Sequence, residues 1–156
     1  MDEIEIVDVD PQLVAGITKV GHYKLIAELL PKIYEYASSK GAKFTNPPVF
    51  VCHEVTVERV MEADKNGTAN IEVAAPIAEK IPETDEIKCY TLAGGKMAKT
   101  VHKGPYQDCE PTYQKLYKWL EGKGKRITGP VREVYLNDPR EVGEENALTE
   151  IYAPIE

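Results

Sequence analysis

A chain of 156 residues with 42% hydrophobic and 29% charged residues has the size and composition of one globular domain, or of two small halves sharing a core. A formal net charge of −7 argues against a nucleic-acid surface, which needs a basic face, and no apolar run reaches the roughly 18 residues that span a bilayer. The acidic start Met1-Asp2-Glu3-Ile4-Glu5 lacks a signal-peptide pattern, so a cytoplasmic location is expected, and the three separated cysteines Cys52, Cys89 and Cys109 read as free thiols.

Ile4, Ile6 and Val7, followed by Val14, Ile17 and Val20, predict two strands joined near Asp10-Pro11. After Gly21 the period changes. Leu25, Ile26, Leu29, Leu30, Ile33 and Tyr36 recur at three- and four-residue steps, the pattern of an amphipathic helix, with Gly41 as its C-terminal stop. Pro31 implies a kink, or a first turn separate from the main helix. Residues 49–57 read as a strand, 61–68 as a polar loop whose first residues could make a helical turn, and 71–77 as a strand that meets Pro76. Residues 87–92, the Gly94-Gly95 turn and 97–102 read as a hairpin. Gly104-Pro105-Tyr106 precedes a helix over roughly 110–120, closed by Gly122 or Gly124. The Gly129-Pro130 turn then opens a short strand, Val131 to Tyr135, and a polar loop over 137–146 leads to a last strand over 148–155.

The second half repeats the first. Shifted by 83 positions, Gly21, Tyr23, Lys32, Tyr34, Lys40, Gly41 and Pro47 fall on Gly104, Tyr106, Lys115, Tyr117, Lys123, Gly124 and Pro130, seven identities without a gap. Near the ends the shift falls to 78, and Glu72, Ala75, Pro76 and Ile77 meet Glu150, Ala153, Pro154 and Ile155. Self-similarity on this scale outranks single motifs. The expected fold is α+β, a tandem repeat of two strand-strand-helix-strand-strand modules, the strands before each helix forming a hairpin. The modules form an antiparallel sheet with helices on one face and a ligand groove on the other. Residues 1–156 make a single domain, repeat 1 about 1–80 and repeat 2 about 85–156.

Strand alternation puts Val131, Glu133 and Tyr135 on one surface. A lone acid among apolar and aromatic neighbours can hold a cation or accept a proton. The repeat sharpens this, because Glu133 corresponds to Phe50, so the frame is symmetric and its charge is not. Glu150 and Tyr152 share a face of the last strand, and Glu150 reads first as structural. Tyr23 and Tyr106 stand at equivalent hairpin–helix junctions. Tyr113, Tyr117 and Trp119 lie on the second helix, where most aromatics are core.

Other chemistries lack their parts. The only serines, Ser38 and Ser39, lie at a helix end, which disfavours a Ser-His-Asp hydrolase. His22, His53 and His102 have no metal-ligand spacing, and the neighbours Cys52 and His53 point to opposite faces of a strand. A Cys109 nucleophile with His102 as base has no supporting motif. Gly122-Lys123-Gly124-Lys125 is a helix exit rather than a phosphate loop. No cofactor and no metal are expected.

The duplicated pattern carries Gly104-Pro105-Tyr106, the Leu116-Tyr117-Lys118-Trp119-Leu120 helix, Val131-Arg132-Glu133-Val134-Tyr135-Leu136-Asn137-Asp138-Pro139, and Leu148-Thr149-Glu150-Ile151-Tyr152-Ala153-Pro154-Ile155. In order and spacing these resemble the GyrI-like small-molecule-binding family, which includes effector-binding domains of AraC- and MerR-type multidrug regulators. The resemblance covers nearly the whole chain and leaves no stretch for a helix-turn-helix. It implies a pocket for bulky, often cationic, aromatic compounds, with Glu133 at the family's glutamate position and tyrosines lining it. It also implies two further activities found among freestanding members, hydrolysis of strained electrophiles by that glutamate and gyrase inhibition. Ala147 stands where family members often carry Trp, so part of the aromatic wall is absent or comes from elsewhere.

The expected function is therefore binding of a bulky amphipathic or aromatic compound in a groove centred on Glu133, with Tyr135, Phe50, Glu150 and Tyr152 as ligand-binding candidates. The alternatives are a small hydrolase of electrophilic xenobiotics, with Glu133 activating water and Tyr135 assisting, or a gyrase-inhibitor-like protein-interaction module. The expected partner is a small molecule, not a nucleic acid or a membrane.

Overall fold

The alternating and helical periods resolve, in a computed structural model, into eight strands and four helices among the described residues, which are 4–54, 56–105 and 108–156. In chain order they are β1 (Glu5–Val9), β2 (Gln12–Gly21), α1 (Ile26–Ser39), β3 (Val49–Cys52), α2 (Val57–Asn66), β4 (Ala69–Pro76), β5 (Lys88–Leu92), β6 (Gly95–Lys103), α3 (Glu110–Gly122), β7 (Val131–Tyr135), α4 (Pro139–Val142) and β8 (Leu148–Pro154). The architecture is α+β with antiparallel strands, in two compact units.

One unit is Asp10–Gly94. Its strands run in the order β3-β4-β2-β5. Ala15, Ile17, Val73 and Ala75 share one sheet face, and with Leu29, Ile33 and Ala37 of α1 they form a buried core. A 3₁₀ turn, Tyr23–Leu25, precedes α1, so the separate first turn is present, while Pro31 lies within the helix.

The other unit is Gly95–Glu156 together with the segment that ends at Val9. Its strands run β1-β6-β8-β7. Here α3 presents Leu116 and Leu120 to Ala98, Val131, Ile151 and Ala153, with Tyr113, Trp119 and Ile127 packed around them. Trp119 is thus packed against the core, as its place on the helix predicts.

Several hydrogen bonds recur at equivalent positions of the two units. The N–H groups of Thr45 and Thr128 donate to the carbonyls of Pro76 and Pro154, and those of Ala42 and Lys125 to the carbonyls of Ala37 and Leu120. Gly41 and Gly124, both with φ near +70° (75° and 67°), close α1 and α3 in the same left-handed turn. Asn70 N–H donates to Glu54 Oε2 at 3.3 Å, and Leu148 N–H to Asn137 Oδ1 at 2.9 Å, again at repeat-equivalent positions.

Neither expected hairpin forms. β1 pairs with β6, from Glu5↔Lys99 to Val9↔Gly95, and β2 pairs with β5, from Gln12↔Leu92 to Gly16↔Lys88. The two-residue links Asp10-Pro11 and Ala93-Gly94 do not make the primed turns that close tight hairpins. Such turns need φ > 0 at the first linking residue, and neither Asp10 nor Ala93 has it. Residues 57–66 also differ from the sequence reading, which made 49–57 a strand and 61–68 a loop with room for a helical turn at its start. The strand stops at Cys52, and α2 begins after Thr56, whose hydroxyl accepts from Arg59 N–H at 3.1 Å. Ala63 is buried while Met61 is 65% exposed, so this surface helix carries little apolar signal.

Candidate functional site

Val131 belongs to the α3-facing core, so the alternation of β7 turns Glu133 and Tyr135 toward α3 as well. This is the helix-packed face, not the face turned away from the helix, where the sequence reading set the groove. Across the sheet, Glu133 stands opposite Ile151 and Tyr135 opposite Thr149. From α3, the Tyr113 hydroxyl donates a short hydrogen bond to Glu133 Oε2. The Tyr135 hydroxyl donates to Glu133 Oε1 at 3.3 Å. The Tyr113 and Tyr117 rings lie 6.0 Å apart, extending an aromatic surface along the helix.

Desolvation raises the Glu133 carboxyl above its ordinary pKa, and the two phenol donors and nearby His102 only partly oppose it. Among the described residues, the Glu133 carboxylate has phenol partners and no ion-pair partner. Burial pushes the neighbouring Cys109 thiol up to about 12, with the charges of Glu133 and Asp108 adding to it. A thiolate is therefore disfavoured. Both ring nitrogens of buried His102 are engaged: Nε2 donates to the Pro105 carbonyl at 2.9 Å and Nδ1 meets Thr112 Oγ1 at 2.9 Å. These engagements leave no arrangement for a Cys109–His102 nucleophile. No group of three or more His, Cys, Asp or Glu side chains among the described residues could hold a metal ion.

The remaining candidates lie elsewhere. The register sets Arg132, Tyr152 and Lys99 in one row, and Val134, Glu150 and Val101 in the next, all on the face of their sheet opposite Glu133. Glu150 and Tyr152 are thus together but on another surface from Glu133. Phe50 belongs to the Asp10–Gly94 unit, is 4% exposed, and meets the Tyr23 ring edge-on at 5.8 Å. Tyr23 donates to Glu54 at 2.6 Å, in keeping with a junction role, while Tyr106 lies outside the described residues.

Tyr113, which sequence reasoning grouped with the core aromatics, packs beside the core and also bonds to Glu133, and so joins the candidate site. The signal was present. Tyr113 and Glu133 fall on Leu30 and Phe50 of the first copy, so an apolar pair in one copy is a hydrogen-bonded polar pair in the other.

Comparison with known proteins bears on the family and the fold. The model of the GyrI-like small molecule binding domain matches residues 2–156. No curated protein matches the chain. Among solved structures, the EcmrR C-terminal domain is similar with a TM-score of 0.87 and 18% identity, covering 100% of this chain and 98% of that one. The chain spans 57% of the EcmrR chain seen in an EcmrR–DNA complex, at a TM-score of 0.86 and 18% identity, with 99% of this chain covered. A hydrolase from Listeria innocua is similar at a TM-score of 0.69 and 16% identity, covering 99% of this chain and 92% of that one. SAV2435, solved with tetraphenylphosphonium bound, matches at 0.64 and 13%, covering 99% and 94%. The chain belongs to the GyrI-like small-molecule-binding domain family.

Proposed function

We propose that the chain binds a bulky aromatic or amphipathic compound, cationic in its preferred form, with Glu133 as counter-charge and Tyr113 and Tyr135 as walls. The observation that carries this is a desolvated carboxylate whose partners are phenol hydroxyls rather than a cation. An ionised carboxylate in such surroundings is costly, and an incoming cation offsets that cost. The aromatic faces add cation–π attraction of about 0.5–2 kcal/mol each. Stacking tolerates many shapes, so broad specificity follows. Binding of tetraphenylphosphonium by SAV2435, a protein of similar fold, supports a bulky aromatic cation as the ligand class. Membership of a small-molecule-binding domain family supports a role as a sensor or sink for such compounds.

The test is a fluorescence titration with a cationic aromatic dye. Glu133→Gln is expected to weaken binding tenfold or more, about 1.4 kcal/mol per tenfold, and to leave a neutral analogue unaffected. Equal affinity of both proteins for the cation would reject the reading.

A second reading, hydrolysis of an electrophile with Glu133 activating water and Tyr135 assisting, draws on the raised carboxyl pKa, which suits a general base. The similar fold of a Listeria innocua hydrolase is consistent with it. Product formation that stops in Glu133→Gln separates turnover from saturable binding without product. Capture of a protein partner irrespective of Glu133 would instead favour the gyrase-inhibitor-like module.

A further inference from the structure

Between β4 and β5, residues 78–87 form a strap tied across α1. The Ala78 N–H donates to the Lys43 carbonyl at 2.9 Å and the Tyr36 hydroxyl to the Pro82 carbonyl at 2.7 Å. Glu86 reaches Lys32 of α1 at 2.9 Å and Lys19 of β2 at 3.2 Å. Glu83 accepts from the Cys89 N–H at 2.7 Å, which fixes the strap to β5. Ile81 in the middle of the strap and Ile77 at its root are 9% and 3% exposed.

The duplication presents the equivalent face of α3. Shifted by 83, Tyr36, Lys40 and Phe44 fall on Trp119, Lys123 and Ile127, and Asp85-Glu86-Ile87 on Asp2-Glu3-Ile4. Shifted by 78, Ile77 and Ala78 fall on Ile155 and Glu156. The geometry recurs with the sequence. Lys40 and Lys123 stand 5.7 and 5.5 Å over the Tyr36 and Trp119 rings, and Phe44 and Ile127 bridge to Ile77 and Ile155. The Glu156 N–H donates to the Arg126 carbonyl, as Ala78 does to Lys43. The middle of the strap, Glu79-Lys80-Ile81-Pro82-Glu83, finds no counterpart in the sequence. Where Tyr36 donates to Pro82, the Trp119 indole N–H meets no acceptor among the described residues. Trp119, Ile127 and Ile155 stay partly exposed at the margin of the α3 core. Charge has diverged as well. Lys118 and Lys125 stand where the first copy has Glu35 and Ala42, and neither meets an acid among the described residues. Residues 79–86 of the strap carry four acids and one lysine.

We propose that the α3 face at Trp119 docks an extended acidic segment of a partner protein, in which a branched aliphatic residue precedes a proline. The first copy shows the chemistry that covers such a face, and the second copy adds the complementary charge. The aliphatic side chain packs on Trp119, Ile127 and Ile155, a main-chain carbonyl accepts the indole N–H, and the acids meet Lys118 and Lys125. The proposal does not depend on the Glu133 reading, because none of these residues is a hydrogen-bond partner of Glu133.

A synthetic peptide with the sequence of residues 78–87 is the probe, and Trp119, the chain's only tryptophan, is the reporter. The α1 face does not compete for the peptide, because its own strap is tethered to it. The peptide should shift the Trp119 emission saturably with a Kd below ~1 mM, and added salt should weaken it. A peptide carrying Ile81→Ser and Pro82→Gly should bind tenfold or more weakly. So should the wild-type peptide to the protein variant Lys118→Glu/Lys125→Glu, whose two sites are exposed and tolerate the change. Glu133→Gln should bind the peptide as the wild type does, which separates this surface from the ligand site. No saturable shift, or equal affinity for the altered peptide or the charge-reversed protein, would overturn the proposal. Self-association of the chain that the peptide reverses would assign the face to a second copy and overturn it too.

Discussion

Glu133 and its two phenols set the behaviour of the site through one balance, desolvation against hydrogen bonding. The folded carboxyl has a raised pKa, so the native state holds its proton at pH values where the unfolded chain has released it. Stability contributed by the protonated form is therefore lost as pH rises above the ordinary glutamate value of about 4.3. Glu133→Gln is expected to melt close to the wild type in acid and above it at neutral pH, a sign that thermal melts across pH would check. Cation affinity should rise with pH in the wild type and stay flat in the variant. Tyr113→Phe removes the shorter of the two phenol bonds and leaves the carboxylate less satisfied. A loss of about 1–3 kcal/mol at neutral pH is expected from chemical denaturation, and a much smaller one in a Glu133→Gln background. At this scale the asymmetry that marks Glu133 was visible in the sequence, because Phe50 holds the equivalent position of the first copy. Its partner Tyr113 stood out only when set on Leu30 of the first copy, because on the helix alone a tyrosine in an apolar stripe looks like core. The separation of Glu150 and Tyr152 from Glu133 follows from strand pairing, which alternation along single strands does not reveal.

Elements with a strong apolar period, α1, α3 and the strands around them, were legible to within a few residues. α2 was not, because among its described side chains only Ala63 is buried and gives no stripe, and the Thr56 hydroxyl caps its start. That cap makes a simple test: Thr56→Ala should cost about 1 kcal/mol in urea unfolding, with exchange protection lost first in 57–66. The left-handed closures of α1 and α3 make another. Nothing lies within 4 Å of a Cβ built at Gly41 or Gly124, so a substitution there strains the backbone without a clash. Gly41→Ala and Gly124→Ala should each cost about 1 kcal/mol, and the double variant about the sum, since the residues belong to different units.

For the molecule as a whole, the duplication was legible but the strand partnership was not. Proximity along the chain favoured β1 with β2 and β5 with β6, but each link carries the chain from one unit to the other, and β1 pairs with β6 and β2 with β5. The chain passes from one unit to the other at Val9–Asp10 and again at Gly94–Gly95. This arrangement governs how the protein can emerge from the ribosome. The Asp10–Gly94 unit has all four of its strands once β5 is made, whereas β1, synthesised first, must wait unpaired until β6 appears some ninety residues later. A nascent chain halted before β6 should therefore protect β2 and β4 from proteolysis while its leading segment stays cleavable, and the order in which cleavage sites vanish as translation resumes would record the exchange directly.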